Sequence, residues 1–249
     1  MRKIAIALTK GGTGKTTTAV NIAGGLAQLK KRVLLIDLDT QGQAGASLLA
    51  DPPKYGISEF LMQRCTFQQA LTQARENLFL LAGGRSISQL QAEISRKEIG
   101  GEHTLRKGIE PHESRFDYIL LDVPPGFGPI LINAFFYCRE LLVPAALHVL
   151  SLQSLVEFHH TIDLVQEYNT NTLEVKYIVP TFYESNTLQS AEILEQLRHV
   201  YGQKVCDPIR KNVRLSEAPG HRETIWEYAG TSAGAEDYAK LIERILQDG

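Results

Sequence analysis

Lys10-Gly11-Gly12-Thr13-Gly14-Lys15-Thr16-Thr17 is the stretch on which the fold turns. Residues 4–8, just before it, are an apolar run that reads as a buried strand. Residues 16–29, just after it, read as a helix, because Val20, Ala23, Leu26, Ala27 and Leu29 recur at helical spacing. Glycine at 11, 12 and 14 removes the Cβ atoms that would block close approach, so backbone N–H groups can converge on phosphate oxygens. The start of the helix adds unpaired donors and a partial positive charge. In this register Lys15 reaches the β- and γ-phosphates of a nucleotide, and the Thr16 hydroxyl is placed to hold Mg²⁺. A glycine-rich turn without a ligand is the competing reading; Gly14-Lys15-Thr16 directly after a strand favours the nucleotide.

Working outward, apolar runs at 33–38, 78–81, 118–121, 141–143 and 177–179 alternate with helical stretches. That rhythm predicts an α/β fold, a mostly parallel twisted sheet with helices on both faces. The segment 83–115 is polar and charged, yet Leu90, Ile94, Leu105 and Ile109 can supply apolar faces, so it reads as helices with connecting loops. With 249 residues, 43% of them hydrophobic, the chain can bury one substantial core. Nothing marks a boundary, so residues 1–249 read as a single domain. The net charge of −2 argues against a constitutively basic nucleic-acid binder but leaves room for a local patch. Met1-Arg2-Lys3 and the run after it imitate a signal peptide, but the run is too short. No uncharged segment approaches the ~18 residues that a membrane span needs. Cys65, Cys138 and Cys206 are odd in number and lack metal-ligand spacing, so they read as reduced, buried thiols of a cytosolic protein.

Three carboxylates fall where an open α/β sheet places its ligands, at the carboxyl ends of strands. The second apolar run leads into Asp37-Leu38-Asp39-Thr40-Gln41. The same spacing also serves an Asp pair that caps the next helix, which begins near Gln43. Residues 119–122, Ile-Leu-Leu-Asp, end an apolar run in a carboxylate that can hold Mg²⁺ directly or through water. Pro124 and Pro125 cannot continue a strand ladder and force a turn there.

The ordinary phosphate-loop pattern wants glycine where Thr9 stands; here a second lysine, Lys10, opens the loop. In this the chain resembles the ParA/MinD-type P-loop NTPases with a deviant Walker A box, KGGxGK[ST][ST]. It looks closest to the ParA (Soj-like) partition or cargo-positioning ATPases. The likeness runs from Lys3 to the last helix. It implies ATP and Mg²⁺ as cofactors, held by Lys10, Gly11, Gly12, Thr13, Gly14, Lys15, Thr16 and Thr17. It implies that Lys10 reaches the partner's nucleotide across an ATP-sandwiched homodimer, a role that a solvated loop lysine outside such a box would lack. Asp39, in a DxDxQ switch, would orient the attacking water. Asp37, with Thr16 and Asp122, would organise the metal, and 122–125 would form a second switch that senses the γ-phosphate. Residues 210–219 resemble the family's PRNVxLxEAP segment, which makes Asn212 the adenine contact, although Arg210 stands where the family has proline.

Other departures concern partners. Thr40 and Gln43 replace a usual proline and asparagine, and Leu147-His148 replaces a common Pro-Glu. Glu184-Ser185-Asn186 stand where chromosome-partition members often carry DNA-binding arginines. Non-specific DNA contact then falls to Lys204, Lys211, Arg214 and Arg222, with Arg210 nearby. Residues 204–222 hold five Lys or Arg against two acids, an excess of three; a solvated surface would look the same. MinD-type relatives end in a basic membrane-surface helix. The last helix here repeats Tyr238, Leu241, Ile242, Ile245 and Leu246 beside Glu236, Asp237, Glu243 and Asp248, so it reads as docked on the core, and no membrane partner is expected. His159 and His160 read as surface or capping residues, and Trp226 and residues 135–137 as core or dimer-face packing. The resemblance implies a slow, partner-stimulated ATPase switch in the cytoplasm, at the nucleoid. It would dimerise on ATP, bind non-specific DNA and position a plasmid, chromosome origin or protein organelle through a ParB-like or adaptor protein. The alternatives are a MinD-like membrane regulator, a small-molecule ATP-dependent enzyme on the same fold, or a catalytically idle scaffold.

Overall fold

Seven strands carry the apolar runs: β1 (Arg2–Ile6), β2 (Val33–Asp37), β3 (Leu71–Arg75), β4 (Leu78–Leu81), β5 (Tyr118–Asp122), β6 (Glu140–Ala146) and β7 (Glu174–Thr181). The computed structural model describes residues 1–148, 151–169 and 172–248. The sheet order is β3-β4-β2-β5-β1-β6-β7, with every neighbouring pair parallel except β3 and β4. Six of these strands coincide with runs legible in the sequence. The seventh, β3, does not. Its Leu-Thr-Gln-Ala-Arg is half-buried except at the exposed Gln73 and lies on the sheet edge, so no apolar run marks it. It joins β4 through Glu76-Asn77, where Asn77 adopts φ 60°.

Both faces of the central strands are covered, so buried side chains alternate between two layers. Ile4, Ile6, Leu35, Leu120, Leu142 and Val179 face one layer. Ala5, Leu34, Ile36, Ile119, Leu121 and Val143 face the other. The first layer is built from α1 (Lys15–Gln28), α2 (Gln43–Leu48) and the last helix, Ala233–Gln247. That last helix buries Tyr238, Leu241, Ile242 and Ile245, and the Tyr238 hydroxyl lies 3.0 Å from Thr18 Oγ1 on α1. It is a core helix, as its acidic polar face foretold. Trp226 donates from Nε1 to Asn21 O at 2.9 Å, and Asn21 Oδ1 accepts the Ile225 N–H at 2.8 Å. The opposite layer includes Ile87–Ser95 and Thr104–Ile109, which bury Leu90, Ile94, Leu105 and Ile109. Phe135, Phe136 and Tyr137 are core. His159 stacks on Tyr201 with ring centres 5.4 Å apart. Cys138 and Cys206 are buried thiols, but Cys65 is only half-buried, a correction to the expectation of three buried ones. None of the described helices is long and apolar enough to cross a membrane.

Candidate nucleotide site

The phosphate loop leaves β1 and enters α1 through Gly14, which holds φ 87° as the residue before the helix. That left-handed conformation favours glycine and admits no cap side chain. Accordingly no side chain caps α1, so its first-turn N–H groups stay directed out of the helix end. The loop is braced from two sides. Thr181 Oγ1, at the end of β7, donates to Thr13 O at 2.9 Å, and the Gly126 N–H donates to Thr9 O at 2.8 Å. Lys15 is 7% exposed, and its Nζ donates to Lys10 O at 2.8 Å, closing the loop on itself. Burial lowers the Lys15 pKa, while Asp122 and Asp39 pull it back up. The Lys10 ammonium has no ion-pair partner among the described residues, and the residue is half-exposed.

The two aspartates of β2 part ways. Asp37 is fully buried; Oδ1 accepts the Asp39 N–H at 3.0 Å, and Oδ2 accepts Ala44 N–H at 3.1 Å and Gly45 N–H at 3.5 Å. Its carboxylate caps α2, the alternative that the spacing had left open, and leaves a metal only a place behind that cap. Asp39 instead lines the phosphate cavity, with Oδ1 accepting the Gln41 N–H at 3.0 Å. A Cβ on Gly83 would lie 2.7 Å from both Asp37 O and Asp39 O, so only glycine lets the chain after β4 back this segment. Asp122 sits beside Asp37 in the β2–β5 register and is 1% exposed. The Thr16 side chain faces its carboxylate and favours the charged form, Asp122 Oδ2 has no partner, and neither has the buried Thr13 Oγ1. A buried, unpartnered carboxylate oxygen beside a threonine hydroxyl is a hard oxygen donor set that suits Mg²⁺. Thr16 and Asp122 therefore fit the metal.

Burial raises both carboxyls: Asp37 to about 6, and Asp122 well above the usual range, with Asp37's charge adding to it. Between the unfolded value of 3.8 and about 6 the folded chain holds a proton that the unfolded chain has released. Stability therefore falls as pH rises through that window. Metal-free protein in EDTA is expected to melt several degrees higher at pH 5.5 than at 7.5. Asp37→Asn should flatten the profile; equal slopes in both proteins, followed by calorimetry, would place the dependence elsewhere.

Three cavities meet at Thr17. One of about 400 Å³ follows residues 11–17, with Asp39, Gln41, Pro125 and Phe182. A second, of about 320 Å³ and mixed lining, lies between α1 and α2 and reaches Ala218, Pro219 and Glu223. An apolar one of about 240 Å³ is lined by Phe182, Ile209, Asn212, Leu215 and Tyr238. Asn212 is thus at the site. It also caps the short helix Val213–Glu217, its Oδ1 accepting the Arg214 N–H at 2.8 Å, which leaves Nδ2 as the end presented to a ligand. Arg210 turns away from the phosphates. Its guanidinium forms a fork on the buried Asp237, with bonds of 2.7 to 3.0 Å, and Asp237 Oδ2 also takes the Arg210 N–H at 2.8 Å. The four candidate DNA residues do not form one patch. Lys204 pairs with Glu174 at the start of β7, whereas Lys211 pairs with Glu184 beyond its end. At ~3.3 Å per residue the two lysines stand about 20 Å apart. Arg214 pairs with Glu217, and Arg222 is exposed without an acid partner among the described residues. Thr181 and Phe182 escaped the sequence reading; the available signal was an aromatic just past a strand's carboxyl end.

Known proteins share this architecture. A profile of the AAA domain family matches residues 1–175. The chain is 34% identical to the chromosome-partitioning ATPase Soj of Thermus thermophilus, across 99% of this chain and 96% of that protein. It is 31% identical to the sporulation initiation inhibitor protein Soj of Bacillus subtilis, across 99% and 98%. Among solved structures, cobyrinic acid a,c-diamide synthase from Mycobacterium smegmatis, with bound ATP analogue and magnesium, superposes with a TM-score of 0.85 at 27% identity, across 99% and 95%. With a deviant phosphate loop in place and full-length likeness to both Soj proteins, the chain belongs to the AAA domain family as a ParA-type ATPase.

Proposed function

We propose that this chain is an ATP-hydrolysing switch that dimerises on Mg²⁺–ATP, binds non-specific DNA and positions a cargo through a partner protein that stimulates hydrolysis. The observation that carries it is the phosphate cavity itself, where Lys15, Asp39 and the cradle 11–14 converge beside the unpartnered Asp122 oxygen. Mg²⁺ bound at Thr16 and Asp122 would draw charge from the phosphate oxygens. Lys15 would neutralise charge developing on the transferred phosphoryl group. Asp39, fixed by the Gln41 N–H, would hold the attacking water. Lys10, half-exposed at the start of the loop and without an ion-pair partner among the described residues, would serve the second copy in a dimer, which makes assembly depend on the nucleotide. The γ-phosphate would then hold the segments 37–41 and 122–126 ordered until hydrolysis.

DNA contact rests on Lys211, Arg214 and Arg222, since Lys204 stands apart. Exposed ion pairs such as Lys211–Glu184 are worth ~0–1 kcal/mol, so phosphates can displace the acids. With ATP and Mg²⁺ the protein is expected to shift random-sequence DNA at low salt and to release it steeply as salt rises. Lys211→Glu with Arg214→Glu should remove the shift. No shift by the unaltered protein at low salt would take away the DNA track and leave a protein-binding switch. A second reading, a small-molecule enzyme, draws on the likeness to the diamide synthase and on the cavity to which Asn21, Gln43, Ser47 and Glu223 contribute polar groups. ATP turnover that needs a carboxylic-acid substrate rather than a partner protein would favour it.

A further inference from the structure

Gly14, Thr17 and Phe182 are shared by the phosphate cavity and the apolar cavity, and of these only Phe182 offers a ring. A nucleotide with its phosphates on residues 11–16 and its base near Asn212 must cross that junction. Phe182 is 43% exposed there, and its backbone holds φ 56°, a region that bulky side chains rarely adopt. The conformation is imposed from both sides. Before it, Thr181 bonds the phosphate loop. After it, the Tyr183 N–H donates to Ile209 O at 3.0 Å, and Tyr183 O accepts the Lys211 N–H at 2.9 Å. Arg210, between those two partners, is anchored on Asp237. The left-handed kink lays the ring over Gly14, whose Cβ position would be 3.9 Å from it. Strain kept where neighbours over-determine it is a mark of a functional position.

We propose that Phe182 is the platform on which the nucleoside of the bound nucleotide lies, its ring stacked on the base or sugar face. The inference rests on the nucleotide reading above. Phe182 is a positioning residue: it would make the loop prefer a nucleotide over bare polyphosphate, and it takes no part in the chemistry.

The test compares Mg²⁺–ATP with Mg²⁺–tripolyphosphate, which has phosphates and no nucleoside, by calorimetry at monomeric concentrations. Phe182→Ala is expected to weaken ATP about ten- to a hundredfold, the range of one base–aromatic stack, and to leave tripolyphosphate unchanged. Phe182→Tyr should restore ATP binding. Phe182→Gly, which accepts the left-handed backbone, should melt above Phe182→Ala yet bind ATP no better. Equal loss of both ligands would make Phe182 a brace of the loop and overturn the proposal. So would unchanged ATP affinity, including the case in which only dimer assembly fails. If the unaltered protein binds neither ligand, the nucleotide reading itself falls and takes this inference with it.

Discussion

Lys15→Ala is expected to lower ATP affinity at least a hundredfold, measured by titration calorimetry with Mg²⁺. Lys15 is the only cation among the residues lining the phosphate cavity. Each charge-assisted bond is worth about 1.5–3 kcal/mol, and a hundredfold loss corresponds to ~2.7 kcal/mol, so two lost contacts suffice. The variant would also leave Asp122 without the ammonium that now lowers its pKa, which favours its protonated form. Lys10→Ala makes the contrasting case. Its side chain contributes nothing to its own cavity wall, so monomer affinity should hold while light scattering finds no ATP-dependent dimer. Affinity within a few-fold of the parent for Lys15→Ala would remove the phosphate-loop assignment.

Asp39→Ala is expected to cut turnover about a hundredfold while changing ATP affinity only a few-fold, so that the ATP-bound dimer accumulates. General-base and water-positioning groups contribute roughly 10²–10⁴ in rate. Asp39 is the only carboxylate that lines the phosphate cavity. Asp37 is spent on the N–H groups of Asp39, Ala44 and Gly45, and Asp122 is buried at the Thr16 side. Steady-state phosphate release with the partner present reads the effect; undiminished turnover would mean that another group holds the water.

How much of this was legible depended on whether the signal was local. Strands buried on both faces announce themselves as apolar runs, and the phosphate loop is a contiguous word, so six strands and the cradle could be read directly. β3 could not, because an edge strand is allowed to be half-polar. The roles of Asp37 and Asp39 were inseparable by spacing; which carboxylate meets α2 is decided by how the chain bends after Leu38. The basic count over 204–222 ignored Glu174, Glu184, Glu236 and Asp237, acids distant in sequence that fold against those very cations. Phe182 was passed over because its importance lies in a backbone angle, for which phenylalanine carries no sequence signature.

The contact between Thr18 and Tyr238 has a consequence during synthesis. Residues 10–18 leave the ribosome early, but α1 is pinned by Ile225, Trp226 and Tyr238, and the base-side loop by Asp237. At ~5–20 residues per second, those pins arrive on the order of ten seconds or more after the cradle they steady. The glycine-rich loop therefore spends its first seconds without its supports. The rigidity of the helix that carries the loop thus depends on residues more than two hundred positions later in the chain.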